Sequence, residues 1–374
     1  MVSGKRLARG SLLPSLLEDG DEETEWEREE LGGVGERPPS RAPKLLSRDG
    51  VDDQVGLKII ICWLHIWVRV VIKQSLFLGV GGCTLQGTKA LAVPLVTNTS
   101  IQKLNMRDNG MEGMGGVAVA EMLKENCYVT EVDLSDNRLE ERGGRALGGM
   151  LQENTTLVRL GLSGNLLGQW GAQHLCRALT TNTKLQNLDL SHNGLGEHAG
   201  ESLGECLSEN TGLRWLGLAW NSIRGRGGVM LARGLGANIF LRALDLSFNG
   251  LGKEGAIALG EALKENNTLE ELNISNNRVP LEGAIHLALG LRVNKTLKSL
   301  NMGRNPIQNA GCYGFMKSLQ GNPQSGLETL DFADMTVNQD FEDLYTIVKE
   351  TIPMLVVKHG GKIDTFRTKK AGKP

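Results

Sequence analysis

A nine-residue pattern of the form LxxLxLxxN recurs along this chain at a constant spacing. Its terminal asparagine falls at positions 109, 137, 165, 193, 221, 249, 277 and 305, so seven successive intervals are each 28 residues long. Chance does not produce such regularity, and a period of about 20 to 50 residues indicates an array of similar units. No single unit can bury its own apolar face, so each must pack against its neighbours. Any fold of this chain has to satisfy this repeat.

Each unit is predicted to form a short strand, a turn and a helix. Numbering the unit from the first residue of the pattern, the apolar residues at positions 4 and 6 alternate with polar ones, as in a strand with one buried face. Positions 19 and 23 are apolar and one helical turn apart, as Leu203 and Leu207 are. Position 26 is asparagine and ends the predicted helix. The predicted fold class is therefore α/β, with a parallel sheet on the concave face of a solenoid and helices on its convex face.

The asparagine at position 9 follows each predicted strand and is expected to be buried. An amide there can bond the backbone of its own turn and of the neighbouring unit, and so satisfy polar groups that no sheet ladder reaches. Position 11 is apolar in successive units, and position 15 is usually glycine or alanine, as at Gly227, Gly255 and Gly283. A small residue at position 15 suits a close approach between neighbouring coils.

The 28-residue unit resembles the ribonuclease-inhibitor-like subfamily of leucine-rich repeats. From about residue 84 to about residue 357, stretches such as GEALKENNTLEELNISNNR and LGLRVNKTLKSLNMGRNP are similar to the leucine-rich repeat-containing protein 74 family. This resemblance implies a horseshoe-shaped leucine-rich-repeat solenoid and carries no established biochemical activity with it. Ribonuclease inhibitor is rich in cysteine along its repeats, whereas this chain has six cysteines in all, so inhibition of ribonuclease is not implied.

We divide the chain into four segments. Residues 1–56 are predicted to be disordered, because they combine an acidic run at 18–30 and a proline-containing stretch with little periodic apolar content. Residues 57–72 are an apolar segment and a candidate N-terminal cap. Residues 73–357 are predicted to form the repeat domain, with nine to ten units and an atypical C-terminal cap at 327–357. Residues 358–374 are predicted to be a basic, disordered tail.

The segment IIICWLHIWVRVVI, residues 59–72, is the most apolar stretch of the chain. It is shorter than the about 20 apolar residues that a membrane-spanning helix needs, and Arg69 would lie inside any longer span. Three interpretations stay open. The segment could cap the first unit, form an interface helix that docks on a membrane surface or on a second copy, or be sequence foreign to the family. Because one of these interpretations is a contact with a second copy, the sequence also leaves the oligomeric state open.

Composition and motif spacing argue against several function classes. The six cysteines and six histidines show no spacing typical of zinc ligands, and no serine or cysteine lies in a nucleophile motif such as GxSxG. We therefore predict no enzymatic activity, no cofactor and no metal site. The formal net charge is only −2, and the basic tail has no interleaved aromatic residues, so nucleic acid is not a predicted partner. Without a signal-peptide pattern at the N-terminus, a cytoplasmic location is expected.

A cluster of aromatic and cationic residues in the middle of the array is the candidate binding site. Position 8 is aromatic in three successive units, and position 3 of the middle unit is tryptophan. Neighbouring strands lie about 5 Å apart, so the rings are expected to form a ladder across the concave face, flanked by arginines at position 2. Only 4% of the chain is aromatic, and these residue types are enriched at binding hot spots. The predicted partner-binding residues are His192, Arg214, Trp215, Trp220, Arg242 and Phe248.

We predict that the protein is a non-enzymatic scaffold that binds a protein or peptide partner on its concave face. One alternative is a regulator of a small GTPase, because GTPase-activating proteins of the Ran type use a similar repeat fold. Those proteins often carry a long acidic C-terminal tail, whereas the C-terminus of this chain is basic. A second alternative is an adaptor that associates with a membrane surface through residues 59–72.

Overall fold

The structure is a computed structural model that describes residues 75–78 and 85–362. Within these ranges, 11 strands form one parallel sheet in which each strand pairs with its neighbours in chain order. The strands are β1 (Ser75–Phe77), β2 (Lys103–Asn105), β3 (Glu131–Asp133), β4 (Arg159–Gly161), β5 (Asn187–Asp189), β6 (Trp215–Gly217), β7 (Ala243–Asp245), β8 (Glu271–Asn273), β9 (Ser299–Asn301), β10 (Thr329–Val337) and β11 (Val356–Lys362).

A helix follows each of the first ten strands in the described part of the chain. The helices are α1 (Leu85–Val96), α2 (Glu112–Glu125), α3 (Glu140–Glu153), α4 (Gly168–Leu179), α5 (Glu197–Glu209), α6 (Gly225–Ala237), α7 (Gly252–Glu265), α8 (Leu281–Leu291), α9 (Gln308–Gln320) and α10 (Gln339–Thr351). This alternation of parallel strands and helices confirms the predicted α/β solenoid. The described residues contain ten strand–helix units, the larger of the two numbers expected.

The sheet register follows the sequence period, because equivalent residues of successive units pair directly. Leu216 of β6 lies opposite Leu188 of β5 on one side and Leu244 of β7 on the other. All three side chains are buried, as are their equivalents in the other complete units. The apolar residues at positions 4 and 6 thus form continuous columns between the sheet and the helices, so the core belongs to the array and not to any one unit.

The asparagines at position 9 form a buried ladder that joins each unit to its neighbours. The side-chain Nδ2 of Asn165 donates to the carbonyl oxygens of Leu134 (2.9 Å) and Leu162 (3.0 Å). Its Oδ1 accepts from the backbone N–H groups of Asn137 (3.0 Å) and Leu139 (3.3 Å). One amide therefore satisfies backbone groups of two units in the turn after the strand, which confirms the role predicted from the sequence.

The asparagines at position 26 form a second ladder, at the opposite end of each strand. Asn210 donates from Nδ2 to the carbonyl oxygen of Leu179 in the preceding unit (2.6 Å). Its Oδ1 accepts from the backbone N–H groups of Gly212 (3.1 Å) and Leu213 (2.8 Å), which lead into β6. The sequence predicted only that this residue ends the helix. The structure shows that it also ties each helix to the unit before it.

Small residues at positions 16 and 20 set the spacing between neighbouring helices. A Cβ added to Gly204 in α5 would lie 2.3 Å from the carbonyl oxygen of Met230 in α6. A Cβ added to Gly148 in α3 would lie 2.7 Å from the carbonyl oxygen of His174 in α4. Such approaches require glycine. Four helices have larger residues at both positions: Thr88 and Ala92 in α1, Ala172 and Cys176 in α4, Ala284 and Ala288 in α8, and Cys312 and Met316 in α9.

The C-terminal end differs from the other units. The predicted amphipathic helix is α10, and the predicted closing strand is β11. The predicted end of the domain at residue 357 is wrong, because β11 continues to Lys362 and the first part of the expected disordered tail is a strand. The reason lies in β10, which is nine residues long whereas β1 to β9 have three each. The longer β10 offers β11 a pairing partner as far as Val337.

The predictions for residues 1–74 and for the chain after Lys362 lie outside the described residues. They concern the N-terminal region 1–56, the apolar segment 57–72 with its stretch 59–72, and the remainder of the basic tail. Among the residues that the structure does describe, no helix has both the length and the apolar character needed to span a membrane.

Candidate functional site

Three aromatic side chains from successive units lie in one stack, which we call the aromatic stack (His192, Trp220 and Phe248). The ring centroids of His192 and Trp220 are 5.3 Å apart, with an interplanar angle of 13°. The centroids of Trp220 and Phe248 are 3.8 Å apart, with an angle of 9°. Trp220 stands in the middle and is 51% exposed. The faces of the Trp220 ring are therefore covered by its two neighbours, and the stack presents ring edges side by side to solvent.

The aromatic stack occupies a backbone position that disfavours bulky side chains. His192, Trp220 and Phe248 have φ angles of +56°, +55° and +53°, in the left-handed region. Other units place Asp136, Asn276 and Arg304 there, with similar φ angles. Short polar residues tolerate this conformation, whereas other L-residues adopt it at a cost of about 1–2 kcal/mol. The left-handed backbone at position 8 was not predicted from the sequence, although Asp, Gly and Asn at this position in other units are typical of it.

Trp215 lies on the concave surface of β6, apart from the aromatic stack. Its ring lies against Gly217, since a Cβ added to Gly217 would be 2.5 Å from Cη2 of Trp215. The adjacent strands have Asp189 and Asp245 at the position of Gly217. A glycine on the middle strand therefore leaves the space in which the indole lies across the sheet.

The indole of Trp215 separates two grooves on the concave face. One has a volume of about 460 Å³ and extends towards β2. The other has a volume of about 260 Å³ and extends towards β9. The first is lined by charged residues of both signs: Lys103, Glu131, Asp133, Arg159 and Asp189. The polar lining of the second is acidic or neutral: Asp245, Glu271, Asn273, Ser299 and Asn301.

The two grooves differ in how their charges are compensated. In the first, Lys103 Nζ lies 3.0 Å from Glu131 Oε1. In the second, Asp245 Oδ1 accepts only the backbone N–H of Ser247 at 2.8 Å. No cation of the described residues pairs with Asp245 or Glu271. The concave surface beside Trp215 therefore carries uncompensated negative charge on the side of β7 and β8.

Arg214 lies apart from the aromatic stack, at the start of β6 next to Trp215. Its Nη1 donates to the carbonyl oxygens of Thr211 and Gly212, each at 3.0 Å, and its Cζ lies 5.3 Å from the ring centroid of Phe240. The residue precedes β6, whereas Trp220 follows that strand. Six residue steps at about 3.3 Å each place the two at opposite edges of the sheet.

Arg242 lies at the same edge as Arg214 and takes part in a bridge between units. Its guanidinium pairs with Glu270, which also accepts from Lys298 Nζ at 2.7 Å. The hydrogen bonds from Lys298 and Arg242 hold the pKa of the Glu270 carboxyl below its ordinary value. The three side chains come from three successive units and occupy an exposed edge, so Arg242 is already paired with a neighbouring acid.

The described residues show no arrangement suited to metal binding. No group of three or more His, Cys, Asp or Glu side chains in this part of the chain could hold a metal ion. The four cysteines that the structure describes are free thiols, of which Cys127 is exposed and Cys176, Cys206 and Cys312 are buried. Burial raises the pKa of the Cys312 thiol to about 12, so this group stays protonated at neutral pH.

Comparisons with known proteins identify relatives of the repeat. The family described as "Leucine Rich repeat" matches residues 97–120, 125–148, 181–204, 237–260, 265–288 and 293–316. Human leucine-rich repeat-containing protein 74B is 49% identical over 50 residues, which make up 13% of this chain and 13% of that protein. The match thus spans far less than two thirds of the relative's length.

Two solved structures resemble the described fold only weakly. "Leiomodin-1 Actin-Binding Site 2 (ABS2)" has 22% sequence identity and a TM-score of 0.35, over 39% of this chain and 86% of that one. A chain of the TLR13–ssRNA13 complex has 19% identity and a TM-score of 0.45, over 70% of this chain and 36% of that one.

Proposed function

We propose that this chain, whose repeats match a leucine-rich-repeat family in six segments, acts as a non-enzymatic scaffold that binds a protein or peptide on the concave side of its sheet. In a solenoid, interior residues are committed to packing between units, and function depends on the exposed faces. Leucine-rich-repeat proteins typically use such faces to bind partners. The proposal includes a cytoplasmic location.

The aromatic stack is the observation that carries this proposal. At a left-handed position, asparagine or glycine would serve the fold at lower conformational cost than Trp220 or Phe248. Strained backbone positions concentrate at functional sites, where another requirement outweighs the cost. Partner binding is such a requirement, because large, rigid and partly exposed aromatic side chains are the ones that dominate interface energies.

We propose that the partner contacts the aromatic stack and extends across the sheet to Trp215. Trp215 stands between the stack and the edge that carries Arg214 and Arg242. A partner that lies along β6 would therefore reach the arginines only after crossing Trp215. We therefore propose that His192, Trp220 and Phe248 make the primary contact and that the arginines have a peripheral role; the stacking of the three rings supports this.

The test compares proteins that co-purify with the full chain and with a Trp220→Ala/Phe248→Ala double variant. Trp170→Ala is the matched control, because Trp170 is 55% exposed on α4, on the helical side of the molecule. We expect at least one partner to be lost from the double variant and kept by the control. Retention of every partner by the double variant, with a native far-UV circular dichroism spectrum, would contradict the proposal.

A further inference from the structure

A groove of about 380 Å³ on the helical side of the solenoid, between α8 and α9, exposes apolar side chains. Ile285 and Leu289 lie one turn apart on α8 and are 45% and 40% exposed, respectively. Ala288 and Gly314 also line the groove. In other helix pairs, glycine at position 16 or 20 allows the two backbones to touch. In α8 both positions are alanine, so α8 and α9 stay farther apart and leave a groove between them.

The rim of this groove is positively charged. Arg292 and Lys317 line it, and its lining contains no acidic residue. Lys317 Nζ donates to Gln320 Oε1 at 2.8 Å. Neither Arg292 nor Lys317 forms an ion pair with another described residue. An apolar floor with an uncompensated basic rim fits an occupant that presents apolar side chains next to carboxylates.

We propose that the chain's own N-terminal segment, residues 11–30, docks in this groove. Its sequence, SLLPSLLEDGDEETEWEREE, places four leucines before nine acidic residues. Leu12 and Leu16 have the spacing of one helical turn, as do Leu13 and Leu17. The leucines would contact Ile285 and Leu289, and the acidic run would lie along the basic rim.

The segment is long enough to reach the groove. Even if residues 59–74 stay at the start of the array, residues 31–58 provide 28 residues, which span about 90 Å at about 3.3 Å each. Seven to eight helix spacings of 8–10 Å separate α1 from the groove, or roughly 80 Å at most. A flexible linker of 28 residues has a root-mean-square length of about 30 Å, well below this distance. Tethering therefore adds little effective concentration, and contacts in the groove must supply most of the affinity.

The second groove on the helical side fits this segment less well. It lies between α4 and α5, has a volume of about 420 Å³ and is lined by Trp170, His198 and Glu201, among others. Glu201 already pairs with Arg226, with Nε and Oε1 3.0 Å apart. A carboxylate in the lining repels an acidic segment, whereas the groove between α8 and α9 has none.

Carbodiimide cross-linking of the full chain tests the proposal. The carbodiimide first adds to a carboxylate and activates it. A lysine amine in contact with the activated carboxylate then forms an amide, and the reagent leaves as a urea, so only groups in direct contact are joined. We expect mass spectrometry of the monomeric fraction to find Lys317 joined to an acid of residues 18–30. The yield should fall at least tenfold in a Leu289→Asp variant and in an Arg292→Glu variant, and should be unchanged in Trp170→Ala.

Three results would overturn the proposal. One is the absence of any link between Lys317 and residues 18–30 in the full chain. Another is an equal yield in the Leu289→Asp and Arg292→Glu variants, provided that their melting temperatures match that of the parent. The third is a link that forms only between isotopically light and heavy copies, since that result places the segment of a second molecule in the groove.

Discussion

Asparagine at position 9 shows how one residue type can determine the register of the whole array. The site needs a side chain that donates and accepts at once, and it must be short enough to stay within the turn. Asn165 meets both needs and is fully buried. The same side chain recurs in every complete unit, so the register of one strand against the next is specified by the amides as well as by the leucines.

Replacing Asn165 with alanine should lower the free energy of unfolding by about 2 kcal/mol or more. The change leaves the backbone N–H groups of Asn137 and Leu139 buried without an acceptor, and each such group costs about 1–3 kcal/mol. The carbonyl oxygens of Leu134 and Leu162 each keep one bond, from the neighbouring asparagines of the ladder. Urea denaturation of the full chain measures the difference. Asn267→Ala is the control, because Asn267 is exposed, and it should change stability by less than about 0.5 kcal/mol.

Trp220 illustrates the opposite case, a residue that the fold does not need. Trp220→Asn should change the free energy of unfolding by less than about 1 kcal/mol while it abolishes partner binding. The lost stacking on His192 and Phe248, worth about 0.5–1.5 kcal/mol for each pair, is offset by relief of the left-handed backbone, worth about 1–2 kcal/mol. A loss of more than about 3 kcal/mol would show that the ring is structural.

Neighbouring helices approach each other most closely where position 20 is glycine. Gly148 and Gly149 are adjacent in α3, and only Gly148 faces the next helix, so replacing each of them in turn isolates this effect. A Cβ on Gly148 would lie 2.7 Å from the carbonyl oxygen of His174, whereas a Cβ on Gly149 would have no atom within 4 Å. Gly148→Ala should therefore destabilise the protein by about 1–3 kcal/mol, because α3 and α4 must separate. Gly149→Ala should stabilise it by about 0.5–1 kcal/mol through helix propensity alone.

Chemical denaturation of the two variants under identical conditions measures both effects. Changes of the same sign would refute the claim that glycine sets the helix spacing. The groove between α8 and α9 has the same cause. Ala284 and Ala288 occupy positions 16 and 20, where helices that touch their neighbours have glycine.

For the whole molecule, the period predicted the architecture well because each unit repeats the same buried residues. Leu188, Leu216 and Leu244 pair in the sheet as the 28-residue spacing requires. The separation of Arg214 from the aromatic stack follows from the register, since position 2 precedes the strand and position 8 follows it, whereas its contact with Phe240 was not predictable from the period. The length of β11 was also missed, since the extension of β10 to Val337 breaks the period that supported the other predictions.

The central claim, that a partner binds against the aromatic stack, is tested most directly by a photoreactive benzophenone side chain in place of Phe248 in the full chain. Irradiation should join position 248 covalently to the same protein that the Trp220→Ala/Phe248→Ala variant fails to bind. The same side chain at position 170, on α4, should give no such product. A product with that protein from position 170 and none from position 248 would contradict the account.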